Sequence, residues 1–144
     1  MTEGVFRLAY ISRNFGVRDE QELSGILQTS RRNNSAVGVT GALLFNEHCF
    51  AQVLEGPLEA VSATFERIQR DERHGEVTIL LSEYDVPRRF GDWAMGYIGD
   101  DAEARARFTT MRFEVLRDRP DTAGQDLLSL LDGAATRIGV LSLD

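Results

Sequence analysis

Cys49-Phe50-Ala51-Gln52-Val53-Leu54-Glu55-Gly56-Pro57 reads as a strand running into a helix start, and it decides the fold because of what lies on either side. Alternation places Phe50, Gln52 and Leu54 on one face. Gly56-Pro57 then opens a helix, with proline at its favoured first position and Leu58, Val61, Phe65 and Ile68 along a buried stripe. That helix is expected to end at His74-Gly75. Just upstream, Asn46-Glu47-His48 makes a tight turn and residues 38–45 a strand, so the quoted stretch is the second arm of a hairpin.

Further upstream, residues 5–13 alternate as a strand, with Phe6, Leu8 and Tyr10 on one face and Arg7, Ala9 and Ile11 on the other. Asp19 and Glu22 form a capping-box pattern, and the helix they open carries Leu23, Ile26, Leu27, Ser30 and Asn34 at helical spacing. That stripe begins apolar and turns polar. Downstream, residues 77–84 are rich in β-branched and aliphatic side chains, and residues 93–98 make a weaker strand.

The order β-α-β-β-α-β-β predicts an α+β, ferredoxin-like fold: a five-stranded mixed sheet, the first and third strands side by side at its centre, and two helices on one face. Tyr10 and Gln52 then face each other across neighbouring strands beneath those helices. Beyond residue 100 the pattern is helical, through Phe108, Met111 and Val115, then after Pro120 through Leu127, Leu130, Leu131 and Ile138. The open face of the sheet is the place to bury these stripes. Residues 1–100 are thus expected to be the functional domain and residues 101–144 a helical cap that is not an independent domain.

With 144 residues, 42% hydrophobic and 27% charged, the chain has the make-up of one globular domain. A net charge of −7 repels phosphate backbones and anionic lipid, which argues against nucleic-acid and membrane partners. All sixteen basic residues are arginine. Cys49 is the single cysteine, so no internal disulfide forms, and with no charged-then-apolar leader and no long apolar run a cytoplasmic location is expected. His48 and His74 have no partners at ligand spacing, so no metal site is expected. Gly38-Val39-Thr40-Gly41 lacks the lysine and spacing of a phosphate loop, and no dinucleotide fingerprint occurs.

An unpaired amide on the covered face would cost roughly 1 to 3 kcal/mol, so Gln52 needs partners, and one tyrosine hydroxyl does not use all its donors and acceptors. Tyr10, Asn34 and Gln52 around an apolar slot between two helices suggest a flat ligand with a polar edge and an apolar body. Structural roles stand beside this: Tyr10 and Trp93 as packing mass, Gln52 bonded to a helix end, Asn34 as a C-cap, and Arg31, Arg32 and Arg73 as solvated helix-end charges.

Six stretches carry a resemblance: Leu8-Ala9-Tyr10-Ile11-Ser12-Arg13, Thr29-Ser30-Arg31-Arg32-Asn33-Asn34, Gly38-Val39-Thr40-Gly41, Phe50 to Gly56, Arg73-His74, and Phe90-Gly91-Asp92-Trp93-Ala94-Met95. In this order and spacing the chain resembles the BLUF domains, blue-light sensors that use FAD. The resemblance implies Tyr10 as electron and proton donor and Gln52 as the amide relaying hydrogen bonds to the flavin N5 and O4. It implies Asn34 at the pyrimidine edge, Ile26 and Ile68 against the ring, and Arg73 and His74, with Arg31 or Arg32, on the phosphate and adenine side. Ser30, Phe50 and Leu54 share these faces and complete the candidate cofactor set. Trp93 and Met95 would compete for the position beside Gln52, and FAD over FMN follows from the resemblance alone. No turnover is expected; the signal would leave through a homo-oligomer or a separate downstream protein.

Two other functions fit parts of the chain. Arg13, Asn14 and Arg18 near the first loop could serve an acyl-phosphate hydrolase, and the fold could be a light-insensitive protein-interaction module. An RNA-recognition module lacks its aromatic signature here and is opposed by the charge.

Overall fold

A computed structural model describes residues 4–90, 96–97, 106–108 and 111–138. Strand β1 (Val5–Asn14) pairs antiparallel with β3 (Cys49–Gly56) on one side and β4 (His74–Val86) on the other. Strand β2 (Thr40–Phe45) completes the hairpin with β3, so four antiparallel strands run β4-β1-β3-β2. Tyr10 stands directly opposite Gln52 in the central pairing.

The two central strands are buried on both faces because each face is covered. Helices α1 (Glu20–Val37) and α2 (Leu58–Arg70) lay Leu23, Leu27, Val61 and Phe65 on Phe6, Leu8, Tyr10, Phe50 and Leu54. On the reverse, α3 (Phe113–Asp118) and α4 (Pro120–Ile138) bring Phe113, Leu127, Leu128 and Leu131 onto Ala9, Ile11, Ala51 and Val53. Gly124 lets α4 approach β4 closely: a Cβ there would sit 3.1 Å from the Leu80 carbonyl oxygen.

Several boundaries move from their expected places for identifiable reasons. Asp19 caps α1 by accepting from the Glu22 amide, as its pattern suggests. At the other end Gly38 takes a left-handed conformation (φ 75°) and donates to the Asn34 carbonyl, so α1 ends on this glycine and β2 begins only at Thr40. Asn34 therefore is not the C-cap. Pro57 occupies the N-cap itself, one place before the helix.

Helix α2 stops at Arg70, not at His74-Gly75: the Asp71 side chain accepts the Arg73 amide and its carbonyl accepts the His74 amide, turning the chain so that His74 opens β4. On the reverse face, Phe108, in a helical stretch at residues 106–108, is buried and Met111 packs against the same core as expected, whereas Val115 departs from the expected stripe. In α3 the buried residue is Phe113, and Val115 is 59% exposed. Of the expected strand over 93–98, Gly96–Tyr97 (β5) pairs in parallel with Ala42 and Leu43; Trp93, Met95 and Ile98 lie outside the described residues. No helix among the described residues is long and apolar enough to cross a membrane.

Candidate functional site

The Tyr10 hydroxyl donates to the Gln52 side-chain carbonyl, and both side chains are buried. Phe65 of α2 holds the phenol edge-on at 5.0 Å between ring centres. Burial pushes the Tyr10 pKa well above its ordinary value, so the phenol keeps its proton throughout the neutral range.

Gln52 opens onto a cleft of about 190 Å³ between α1 and α2. Ile26, Ser30 and Asn34 recur at four-residue intervals on α1 and share one wall. Thr64, Arg67 and Ile68 form the facing wall on α2, Leu43 and Phe50 the floor, and Asp71, Arg73 and His74 the rim. Thr29 and Asn33 complete the α1 wall. The lining is apolar at Ile26, Leu43, Phe50 and Ile68 and polar at Asn34 and Gln52, which suits a flat ring with a polar edge.

Most of the expected residues come together here: Ile26, Ser30, Asn34, Phe50, Gln52, Ile68, Arg73 and His74 all line the cleft. Tyr10 and Leu54 are buried but are not among the lining residues, and Arg31 is exposed outside it. Arg73 is not simply poised for an anion. Its Nε lies 2.9 Å from Asp71 Oδ1 and its Nη2 2.6 Å from Oδ2, a two-point pair that also holds the Asp71 carboxyl below its usual range. Arg67, with Nη2 3.5 Å from Thr64 Oγ1, is a second cation on the cleft.

Thr29 and Asn33 lie in the stretch that carries the resemblance but were given no role, and Leu43, Thr64, Arg67 and Asp71 were not singled out by the sequence. The signal for three of them was present: Thr64, Arg67 and Asp71 follow one another at three- and four-residue spacing beside Ile68.

His74 stands with Nδ1 2.8 Å from Ser12 Oγ and its ring 4.3 Å from that of Phe50. Burial lowers its pKa to about 4, with Asp71 opposing and Arg73 reinforcing the shift. Since an unfolded histidine titrates near 6.5, the unfolded chain binds the extra proton first. His74 therefore contributes stability that is complete above about pH 6.5 and disappears as the pH falls toward 4. Discounted for the ring's partial exposure, the effect is about 2 kcal/mol. Thermal melts between pH 7.5 and 4.5 are expected to fall less steeply in His74→Gln than in the native chain, and equal slopes would refute the assignment.

The residues that could serve an acyl phosphate are otherwise engaged. Arg13 pairs with Glu76 at 2.8 Å and Glu114 at 2.6 Å, and Arg18 with Glu22 at 3.0 Å. Asn14 bonds the Val17 and Asn46 carbonyls and the Gly16 and Val17 amides, which shapes the β1–α1 loop. Cys49 is buried, with its thiol pushed up to about 12, and no metal-holding cluster occurs among the described residues.

The model of a family described as "Sensors of blue-light using FAD" matches residues 5–96. The chain is 39% identical over 82 residues to the blue light- and temperature-regulated antirepressor BluF of Escherichia coli K12, covering 55% of this chain and 20% of that protein. It is 41% identical over 73 residues to the photoactivated adenylate cyclase subunit beta of Euglena gracilis, covering 51% of this chain and 8% of that one. The chain thus spans a fifth or less of these curated relatives. Among solved structures, the dark state of BlrB, a BLUF protein, superposes with a TM-score of 0.71 at 29% identity, covering 96% of this chain and 99% of that one. BlsA in its photo-activated state gives 0.70 at 26% identity, covering 97% and 96%.

Proposed function

The chain belongs to the BLUF family, the sensors of blue light using FAD, and from that premise we propose that Tyr10 and Gln52 are its photoactive pair. The observation that carries the reading is the buried hydrogen bond from the Tyr10 hydroxyl to the Gln52 carbonyl at the inner end of the cleft. A cleft of about 190 Å³ with apolar walls and a polar end fits a flat ring system, which its lining residues would hold. Ile26 and Ile68 would hold the ring faces, Asn34 its pyrimidine edge, and Arg67, Arg73 and His74 would serve the phosphate side.

Bound flavin supplies an oxidant when it absorbs blue light. Tyr10, kept neutral by burial, would be the electron donor and would pass its proton along the existing hydrogen bond. Gln52 responds by rotating or tautomerising, which exchanges donor for acceptor at the cleft. Once Tyr10 regains its electron and proton, a Gln52 left rearranged would alter the hydrogen bonding at the flavin edge, which would shift the absorption to the red. Trp93 and Met95 modulate this step.

Residues 1–100 act as the sensor and residues 101–144 as a cap belonging to the same domain. The Gly96–Tyr97 bridge supports a fifth strand that completes a ferredoxin-like sheet. The chain has no turnover of its own and works in the cytoplasm, signalling through self-assembly or contact with a downstream protein. The visible spectrum of the FAD-loaded protein, taken before and after blue light, tests all this. A flavin band that moves to the red and returns in the dark is expected. A bound flavin with no shift would leave a light-insensitive interaction module, and failure to hold flavin would end the proposal.

A further inference from the structure

Glu55, three residues beyond Gln52 on β3, is wholly buried, and alternation along the strand sends it to the face opposite the cleft. Its carboxylate accepts from Arg7 Nε at 2.8 Å and from the backbone amides of Arg89 at 2.9 Å and Phe90 at 2.8 Å. Arg7 is 3% exposed, and its remaining nitrogens reach Glu83 Oε1 at 2.8 Å and the Pro87 carbonyl at 2.6 Å. Arg7 stands opposite Glu55 in the same continuous β1–β3 register that sets Tyr10 opposite Gln52.

This pairing needs a device to fix its register. Residues 5–12 and the whole of Cys49–Gly56 are buried, and a slip of two residues leaves every side chain on its own face, so the alternation that rejects a one-residue slip does not choose between these registers. Apolar side chains tolerate a new neighbour two places along, whereas a buried charge separated from its partner does not. A slip of two residues one way would set Tyr10 against Phe50 and Arg7 against Val53. The opposite slip would set Tyr10 against Leu54 and Glu55 against Ala9. Each leaves the Arg7–Glu55 charges apart inside the sheet.

We propose that the Arg7–Glu55 ion pair is the register pin of the photoactive pair, making both residues positioning residues for Tyr10 and Gln52. The photochemical part rests on the function proposed above; the pinning is a property of the flavin-free fold. Buried ion pairs contribute little net stability compared with well-packed apolar replacements, and fixing register is their best-attested use. A pin and a stabiliser therefore behave differently when the charges are removed.

The discriminating variant is Arg7→Met/Glu55→Gln. Glutamine keeps a carbonyl for the Arg89 and Phe90 amides, methionine fills the space of the arginine stem, and Glu83, partly exposed, turns to water. The double variant is expected to melt close to the native chain. In flavin-free protein, its cross-strand Hα–Hα NMR contacts between β1 and β3 are expected to show a second set of pairings. After FAD loading, the light-responsive fraction per bound flavin is expected to fall several-fold. A single native register with an undiminished response overturns the proposal.

Leu127→Ala, in the reverse-face core, serves as the comparison: it lowers the melting temperature but leaves register and response per bound flavin intact. An equal loss of response there would make the effect general destabilisation and defeat the pin. If the double variant does not fold, Glu55→Gln alone, in which Arg7 keeps Glu83 and Pro87, is expected to shift both readouts in the same direction, and native behaviour in it is equally fatal. Absence of any light response in the native chain would refute the proposed function, while the NMR comparison would still decide the pin.

Discussion

Tyr10→Phe is expected to bind FAD and to lose the reversible red shift entirely. The substitution removes one oxygen and keeps the ring, so the edge-on contact with Phe65 at 5.0 Å and the surrounding core are preserved. What disappears is the hydroxyl that donates to the Gln52 carbonyl. Losing this buried hydrogen bond costs roughly 0.5 to 1.5 kcal/mol, a visible loss of stability that still permits folding. The photochemical effect is larger, because phenylalanine has no phenolic proton to pass and is a far poorer electron donor. Gln52→Leu is the complementary variant: Tyr10 can still give up an electron, seen as shortened flavin fluorescence, but no amide remains to hold the rearrangement. The two variants should therefore both lose the stable shift and differ in fluorescence lifetime. A native photocycle in either would remove the assigned residue from the mechanism.

The parts of this site that were legible in the sequence are those governed by strand and helix periodicity. Phe6, Leu8 and Tyr10 alternate against Arg7, Ala9 and Ile11, and both sets face the layers that the alternation demands. The helical spacing of Ile26, Ser30 and Asn34 likewise put three wall residues together. What periodicity could not reach were the effects of individual side chains on chain direction. Arg70, Arg73 and His74 look like the basic end of one helix, yet Asp71 turns the chain three residues earlier and claims Arg73 for itself. Helix α3 is six residues long, too short for its phase to be read, so the expected Val115 is exposed and Phe113, which the periodicity did not single out, is the residue it buries. The Arg7–Glu55 pair spans 48 residues of sequence, and alternation alone says only that each lies on the reverse face.

Gly41→Val is expected to be the most damaging single substitution on the helix-facing side, eliminating both the fold of the hairpin and flavin retention. A Cβ at Gly41 would overlap the Val53 carbonyl oxygen and stand 3.1 Å from its carbonyl carbon and 3.4 Å from Leu54 Cα. All three are backbone atoms, so no rotamer change relieves the overlap. Strand β3 cannot retreat either, because its other edge is held by β1 over eight paired positions. The strand that must move is β2. Moving it strips Leu43 from the floor of the cleft and breaks the pairing of Ala42 and Leu43 with Gly96–Tyr97. Overpacking of this kind costs about 3 kcal/mol or more, a large share of the 5 to 15 kcal/mol that stabilises a typical domain. Gly41→Ala suffices to create the overlap, since the clash begins at Cβ. Gly25→Ala makes the contrast: an added Cβ there, on the exposed side of α1, meets nothing within 4 Å, so helix propensity should raise stability by about 0.5 to 1 kcal/mol. Thermal melts of the two alanine variants should thus move in opposite directions, and FAD should be lost on gel filtration only from Gly41→Ala. A Gly41→Ala chain that melts with the native protein would show that β2 and β3 are farther apart than the register requires.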